Sequence, residues 1–189
     1  MPSTYAEYVA SISEWLAGEA GSHILYSSPM AGVMAFSNAV GAGREGETLL
    51  VSATHGDAAT PSDVTASLSS VLYCTPTSDE VSSPGDLTGI SMPVSEFLKR
   101  STSPAVFIDS VTTLLHYAED ASVFRFLSVL TAHIRRNDGL GVFAMAPDAH
   151  HEQTVRTFEQ VFDGRIELHA DGERARVDAP GSPEGWHPR

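Results

Sequence analysis

One lysine, Lys99, and one cysteine, Cys74, stand in a chain of 189 residues. A single cysteine excludes an internal disulfide, and no Cys/His spacing fits a structural zinc site. Long apolar runs are missing too. No stretch of about 18 apolar residues occurs, and the first residues lack the basic-then-apolar layout of a secretion signal. A cytoplasmic protein without a membrane span is the expectation. Bases are scarce as well, with 11 Lys and Arg against 24 Asp and Glu, a net charge of −13. Phosphate contacts need a basic surface, so nucleic-acid binding by direct charge is excluded.

What the chain does have is apolar content: 42% of residues are hydrophobic, enough for the core of one domain. The acidic surplus comes with abundant Ala, Gly, Ser and Thr, the composition of salt-adapted cytoplasmic proteins. At molar salt the Debye length falls to about 3 Å, which screens the mutual repulsion of a carboxylate surface. A halophilic source is expected.

Along the chain, Tyr5, Val9, Ile12 and Leu16 form one helical stripe, with Ser3 or Thr4 as its cap and Gly18 and Gly21 at its end. His23–Tyr26 reads as a strand, followed by the turn Ser27–Gly32. Val33, Met34, Phe36 and Val40 then predict a helix, and Thr48–Ser52 a second strand. Together these make a βαβ unit. A polar helix is expected around Ser62–Ser69, a short strand at Val71–Cys74 and an exposed Ser/Thr/Pro-rich loop at Thr75–Pro84. A helix from about Pro93 to Arg100 comes next. The best helix starts at Asp120 or Ser122, with Arg135 and Arg136 in its last turn, where the helix dipole favours cations. Leu140–Ala146 is an apolar strand, Glu152–Val161 a helix, and Arg165–His169 with Arg174–Asp178 a closing hairpin around Asp171-Gly172.

The chain is organised around Ala105-Val106-Phe107-Ile108-Asp109-Ser110. This apolar run ends in an acid and a serine, as does a strand buried on both faces of a parallel sheet. Asp109 then lies at the strand's carboxyl end, where open α/β sheets keep their ligands. The expected fold is α/β, a mainly parallel twisted sheet with helices on both faces and a closing β-hairpin.

This order resembles the RecA superfamily core, and within it the KaiC-like archaeal branch. Ala105–Ser110 is similar to that superfamily's Walker B strand, Phe124–Arg136 and Gly141–Pro147 to the helix and strand after it, and Phe158–Leu168 to its helix, Asp-Gly and edge strand. More closely, the chain resembles the haloarchaeal HTR-like domains. That likeness is carried by Asp86–Ile90, Ser95–Leu98, Phe107–Ser110, Phe124–Leu127 and Pro147–His150. It covers about residues 86–168 well and the first half in outline.

The resemblance implies a single RecA-like domain over 1–179, with an N-terminal helix within 1–20 and a flexible tail at 180–189. It also implies ATP and magnesium as cofactors, with Asp109 as the magnesium ligand. A working P-loop, G-x-x-x-x-G-K-[ST], supplies a lysine to the phosphates and a hydroxyl to magnesium. The equivalent turn here runs from Ser27 to Met34. It keeps Gly32 but has Val33 and Met34 in the Lys and Ser/Thr positions. KaiC-like ATPases carry catalytic glutamates after the second strand; this chain has Ala53-Thr54-His55-Gly56-Asp57. Phosphoryl transfer depends on compensating phosphate charge. The reading is therefore a pseudo-ATPase with no catalytic residues, no cofactor and no metal site, with bound ATP and magnesium as the alternative. A vestigial nucleotide site would comprise Ser27, Ser28, Pro29, Gly32, Asp109 and Ser110. The domain would act as a regulatory or protein-interaction module, through a partner protein or self-association. Two alternatives are a nucleotide-binding switch and an ATPase subunit completed by a partner's lysine or arginine. For Asp109 and Ser110 themselves the local alternative is to satisfy loop N–H groups.

Three further constellations contain residue types suited to chemistry. Asp148, His150, His151 and Glu152 could hold a metal or a base, but adjacent residues cannot all aim at one ion, and a helix start accounts for the acids. His116, Tyr117, Glu119 and Asp120 could line a pocket at the sheet edge or form a partly buried aromatic turn. Ser27, Ser28, His55 and Asp109 supply triad residue types without a G-x-S-x-G elbow.

Overall fold

Eight strands form one sheet in the order β3-β2-β4-β5-β1-β6-β7-β8 in the computed structural model. It describes residues 11–26, 33–60, 62–171 and 173–188. The strands are β1 (Gly21–Tyr26), β2 (Thr48–Ser52), β3 (Ser70–Tyr73), β4 (Ala105–Ile108), β5 (Leu140–Met145), β6 (Gly164–Leu168), β7 (Arg174–Asp178) and β8 (His187–Pro188). The first six in sequence run parallel, with Val51 level with Ile108, Ile108 with Phe143, and Tyr26 with Met145. The last two are antiparallel. The α/β fold with a mainly parallel sheet and closing hairpin is as the sequence predicts.

Six helices connect them among the described residues: α1 (Ile12–Ala17), α2 (Val33–Gly43), α3 (Leu87–Arg100), α4 (Val111–Tyr117), α5 (Asp120–Arg136) and α6 (Glu152–Glu159). Crossovers between parallel strands are right-handed, so the direction of each step decides its face. The step from β1 to β2 runs one way along the sheet and puts α2 on one face with α1. The steps towards β4, β5 and β6 run the other way and put α3 to α6 opposite. Period-two alternation then feeds two cores. Ile24, Val51, Val106, Ile108 and Phe143 join the α3–α6 side, while Leu25, Leu50, Phe107, Val142 and Ala144 join the α1–α2 side. No helix among the described residues is long and apolar enough to cross a membrane.

Several elements differ from the sequence expectation. Tyr5 and Val9, with the caps Ser3 and Thr4, lie outside the described residues; the described helix α1 starts at Ile12, with Ser11, in extended backbone, as its cap. The Ser11 hydroxyl accepts from the Glu14 N–H at 3.1 Å. The polar helix expected at Ser62–Ser69 is reduced to a 3₁₀ turn at Ser62–Thr65, and a second 3₁₀ turn precedes it at Asp57–Ala59. Helix α3 begins six residues before Pro93, because Asp86 caps it, accepting from the Gly89 N–H at 2.8 Å. Pro93 therefore sits inside a helix rather than opening one. Residues 180–188, expected as a flexible tail, return to the sheet: Pro183 is buried, and His187 pairs with Ala175.

Candidate functional site

Strand β4 ends at Ile108, and the Asp109 N–H still donates to the Val51 carbonyl at 3.1 Å. That bond holds Asp109 level with the end of β2. Onward connections from the two strands leave on opposite faces, since the 3₁₀ turn Ser62–Thr65 packs on α2 and α4 packs on α5. Such a parting is where an open α/β sheet has room for a ligand. Here the Asp109 side chain spans it. Its Oδ2 accepts from the Ser52 hydroxyl at 2.7 Å, and its Oδ1 accepts from the Ala53 N–H at 2.8 Å and the Thr54 hydroxyl at 3.3 Å. The carboxyl is 4% exposed. Burial pushes its pKa up, while Ser52, Ala53, His55 and Thr54 pull the other way. Both oxygens are thus turned onto β2 and away from β1, which lies on the other side of β4, beyond β5.

Ser110 is likewise occupied by its own fold. It is the N-cap of α4, its hydroxyl oxygen accepting from the Thr113 N–H at 2.8 Å and the Thr113 hydroxyl at 2.7 Å. The residues Ser27, Ser28, Pro29 and Gly32 of the vestigial nucleotide site lie outside the described residues. Helix α2 begins directly after them. Val33, at the lysine position, is 4% exposed and packs with Phe36 and Val40 in the α1–α2 core, with Met34 half-buried against them. At the β2 exit, His55 Nδ1 lies 3.9 Å from Asp109 Oδ2. The Ser52 hydroxyl beside it is buried and donates to the aspartate, so it is not poised as a nucleophile.

A second group lies further along the same edge. Thr112, in the first turn of α4, is 8% exposed. Its hydroxyl accepts from the Ala146 N–H at 3.0 Å and meets His150 Nε2 at 3.0 Å. With one lone pair taken by the amide, the hydroxyl has a proton to give Nε2 and a second lone pair to receive one from it, so the contact serves either tautomer. The His116 and His150 rings stand 6.3 Å apart. They share a cavity of about 490 Å³ with Leu115, Asp120, Asp148 and His151. Parts of the two histidine-acid constellations of the sequence therefore meet in one place, although Tyr117, Glu119 and Glu152 do not line it. Burial and then His116 hold the His150 pKa below its ordinary value, against the pull of Asp120. A neutral imidazole can accept a proton, yet no serine, cysteine or lysine lines this cavity. Among the described residues no three His, Cys, Asp or Glu side chains converge as a metal site.

Sequence reasoning missed the partners that fix these groups. Ser52 and Thr54 meet Asp109 from more than fifty residues away, and Thr112 meets Ala146 and His150 across more than thirty. It also missed Asp163, which accepts from the Ser22 N–H at 2.9 Å, the Ser22 hydroxyl at 3.0 Å and Arg135 at 2.8 Å. Spacing gives no signal for such pairs; only the strand order does.

Fold and edge together define a mostly parallel α/β domain whose carboxyl-edge aspartate is bound internally. A family model matches residues 15–168, and the chain belongs to that family, DUF7504, a family of unknown function. No curated protein matches the chain.

Proposed function

We propose that this chain is a non-catalytic RecA/KaiC-like domain that acts as a regulatory or protein-interaction module. One observation carries the reading. Both oxygens of Asp109, the residue a nucleotide site would need for magnesium, are taken up by Ser52, Ala53 and Thr54 at the neighbouring strand end. Val33 supports it, because the side chain in the lysine position is part of the core. A site without that lysine leaves triphosphate charge uncompensated. The proposal includes a cytoplasmic setting in a salt-adapted cell, for which the support is the net charge of −13 and the single lysine.

The test is thermal unfolding in molar KCl with and without millimolar ATP and magnesium. No shift in Tm is expected. A shift without turnover would select a nucleotide-binding switch instead, and turnover with the isolated chain would overturn the proposal.

A further inference from the structure

Acids outnumber bases 24 to 11 in this chain, so carboxylates are available to every base. Arg135, Arg156, Arg165, Arg174 and Arg176 each hold one. Arg44 instead donates to the Ala17 and Glu19 carbonyls. Among the described residues that leaves Lys99, Arg100, Arg125 and Arg136 with neither an ion pair nor a side-chain hydrogen bond, and all four lie on α3 or α5. Three of them have a local explanation, because they sit in last turns, where the helix dipole favours a cation. Arg125 does not. It lies in the second turn of α5, towards the end where the dipole disfavours positive charge.

Between these helices runs a groove of about 370 Å³ with Phe126 and Leu130 in its lining and Ser91, Ser95, Arg125 and His133 along its sides. No carboxylate lines it. Val129, also in the lining, is 53% exposed and Met92 on α3 is 70% exposed, two of the four large apolar side chains left open among the described residues. Helical spacing continues the same stripes to Lys99, one turn beyond Ser95, and to Arg136, two turns beyond Val129. At 1.5 Å per residue the two helices run about 21 and about 26 Å, room for several turns of a third. A strongly acidic molecule thus keeps Arg125 beside an open apolar groove, with Lys99 and Arg136 on the continuations of its two helical stripes.

We infer that the α3–α5 groove is a docking site for an acidic amphipathic helix of a partner protein. Apolar residues of that helix at i, i+3, i+4 and i+7 would cover Val129 and Met92 above Phe126. Its flanking Glu or Asp residues would meet Lys99, Arg125 and Arg136. Charge complementarity selects an acidic occupant. The exposed apolar side chains of Val129 and Met92 select a protein helix over nucleic acid. This inference rests on the interaction-module reading and names the kind of partner that module takes.

The test uses fluorescence anisotropy with two labelled synthetic helical peptides that share one leucine stripe, flanked by Glu in one and by Lys in the other. The Glu peptide binds, and the Lys twin binds about tenfold more weakly or worse. Arg125→Glu and Val129→Glu, each checked as folded by its thermal melt, weaken the Glu peptide about tenfold or more. Arg156→Glu on α6, outside the groove, leaves binding unchanged. Equal binding of the two peptides, binding of neither, or full affinity in folded Arg125→Glu overturns the inference. Displacement of the peptide by single-stranded DNA overturns it in favour of nucleic acid. Concentration-dependent self-association that Val129→Glu abolishes overturns it in favour of a second copy. Failure here leaves the nucleotide test of the preceding proposal untouched, and failure there leaves this one measurable.

Discussion

Asp109 and His150 show how neighbouring side chains decide what an ionisable group can do. Asp109 is a buried acid whose three donors belong to one strand end; its removal orphans the buried Ala53 N–H and leaves Ser52 with the His55 carbonyl, instead of emptying a ligand site. Asp109→Ala is expected to cost about 1–3 kcal/mol of stability by chemical denaturation, with no change in the response to ATP and magnesium. A loss of nucleotide binding in that variant would return Asp109 to the role its position first suggests. His150 is held below its ordinary pKa by burial and by His116. Its titration by NMR is expected below the usual histidine midpoint and should move up in His116→Ala. Position alone identifies Asp109 as important and places it at the edge of the sheet. The direction of its carboxylate is not legible in the sequence, because Ser52 and Thr54 become its partners only once β2 lies beside β4.

Elements with a strong internal period are legible from the residues alone. The buried run of β4, the amphipathic face of α5 and the hairpin of β6 and β7 each carry their own pattern. Elements whose start is set by a single polar residue are harder to place. Pro93 suggests the start of α3 because proline usually opens a helix, whereas Asp86 has already capped it. Asp86→Ala is expected to cost about 1 kcal/mol, visible as a lower urea midpoint with an unchanged m-value. Strand β1 contributes a different liability. His23 is 4% exposed beside Trp15, and neither ring nitrogen has a well-formed hydrogen bond. A Cβ at Gly164 would meet its Nδ1 at 2.7 Å, so the glycine on the neighbouring strand is what leaves room for the ring.

At the scale of the molecule these groups set the dependence on pH and salt. Burial lowers the folded pKa of His23, so below its unfolded value of about 6.5 the unfolded chain takes up the proton more readily. Stability is full above that pH and falls as pH drops below it. His23→Leu should flatten that part of the curve. Asp163 acts in a lower window. Burial alone would raise it, but Ser22 and Arg135 outweigh that and hold it down. Its contribution is present above the ordinary aspartate pKa of about 3.9 and is lost as pH falls below it. A net charge of −13 predicts that Tm rises with KCl towards molar concentration, because screening relieves repulsion in the folded state first. The single lysine has a practical meaning as well. Lys99 is the only side-chain amine and is exposed in the last turn of α3. The one thiol, Cys74, is buried, with its pKa pushed up to about 12, so it offers little thiolate to a reagent. Among side chains, an amine-reactive fluorophore therefore attaches only at Lys99, one helical turn beyond Ser95 of the α3–α5 groove, and the protein carries its own address for a reporter of what docks there.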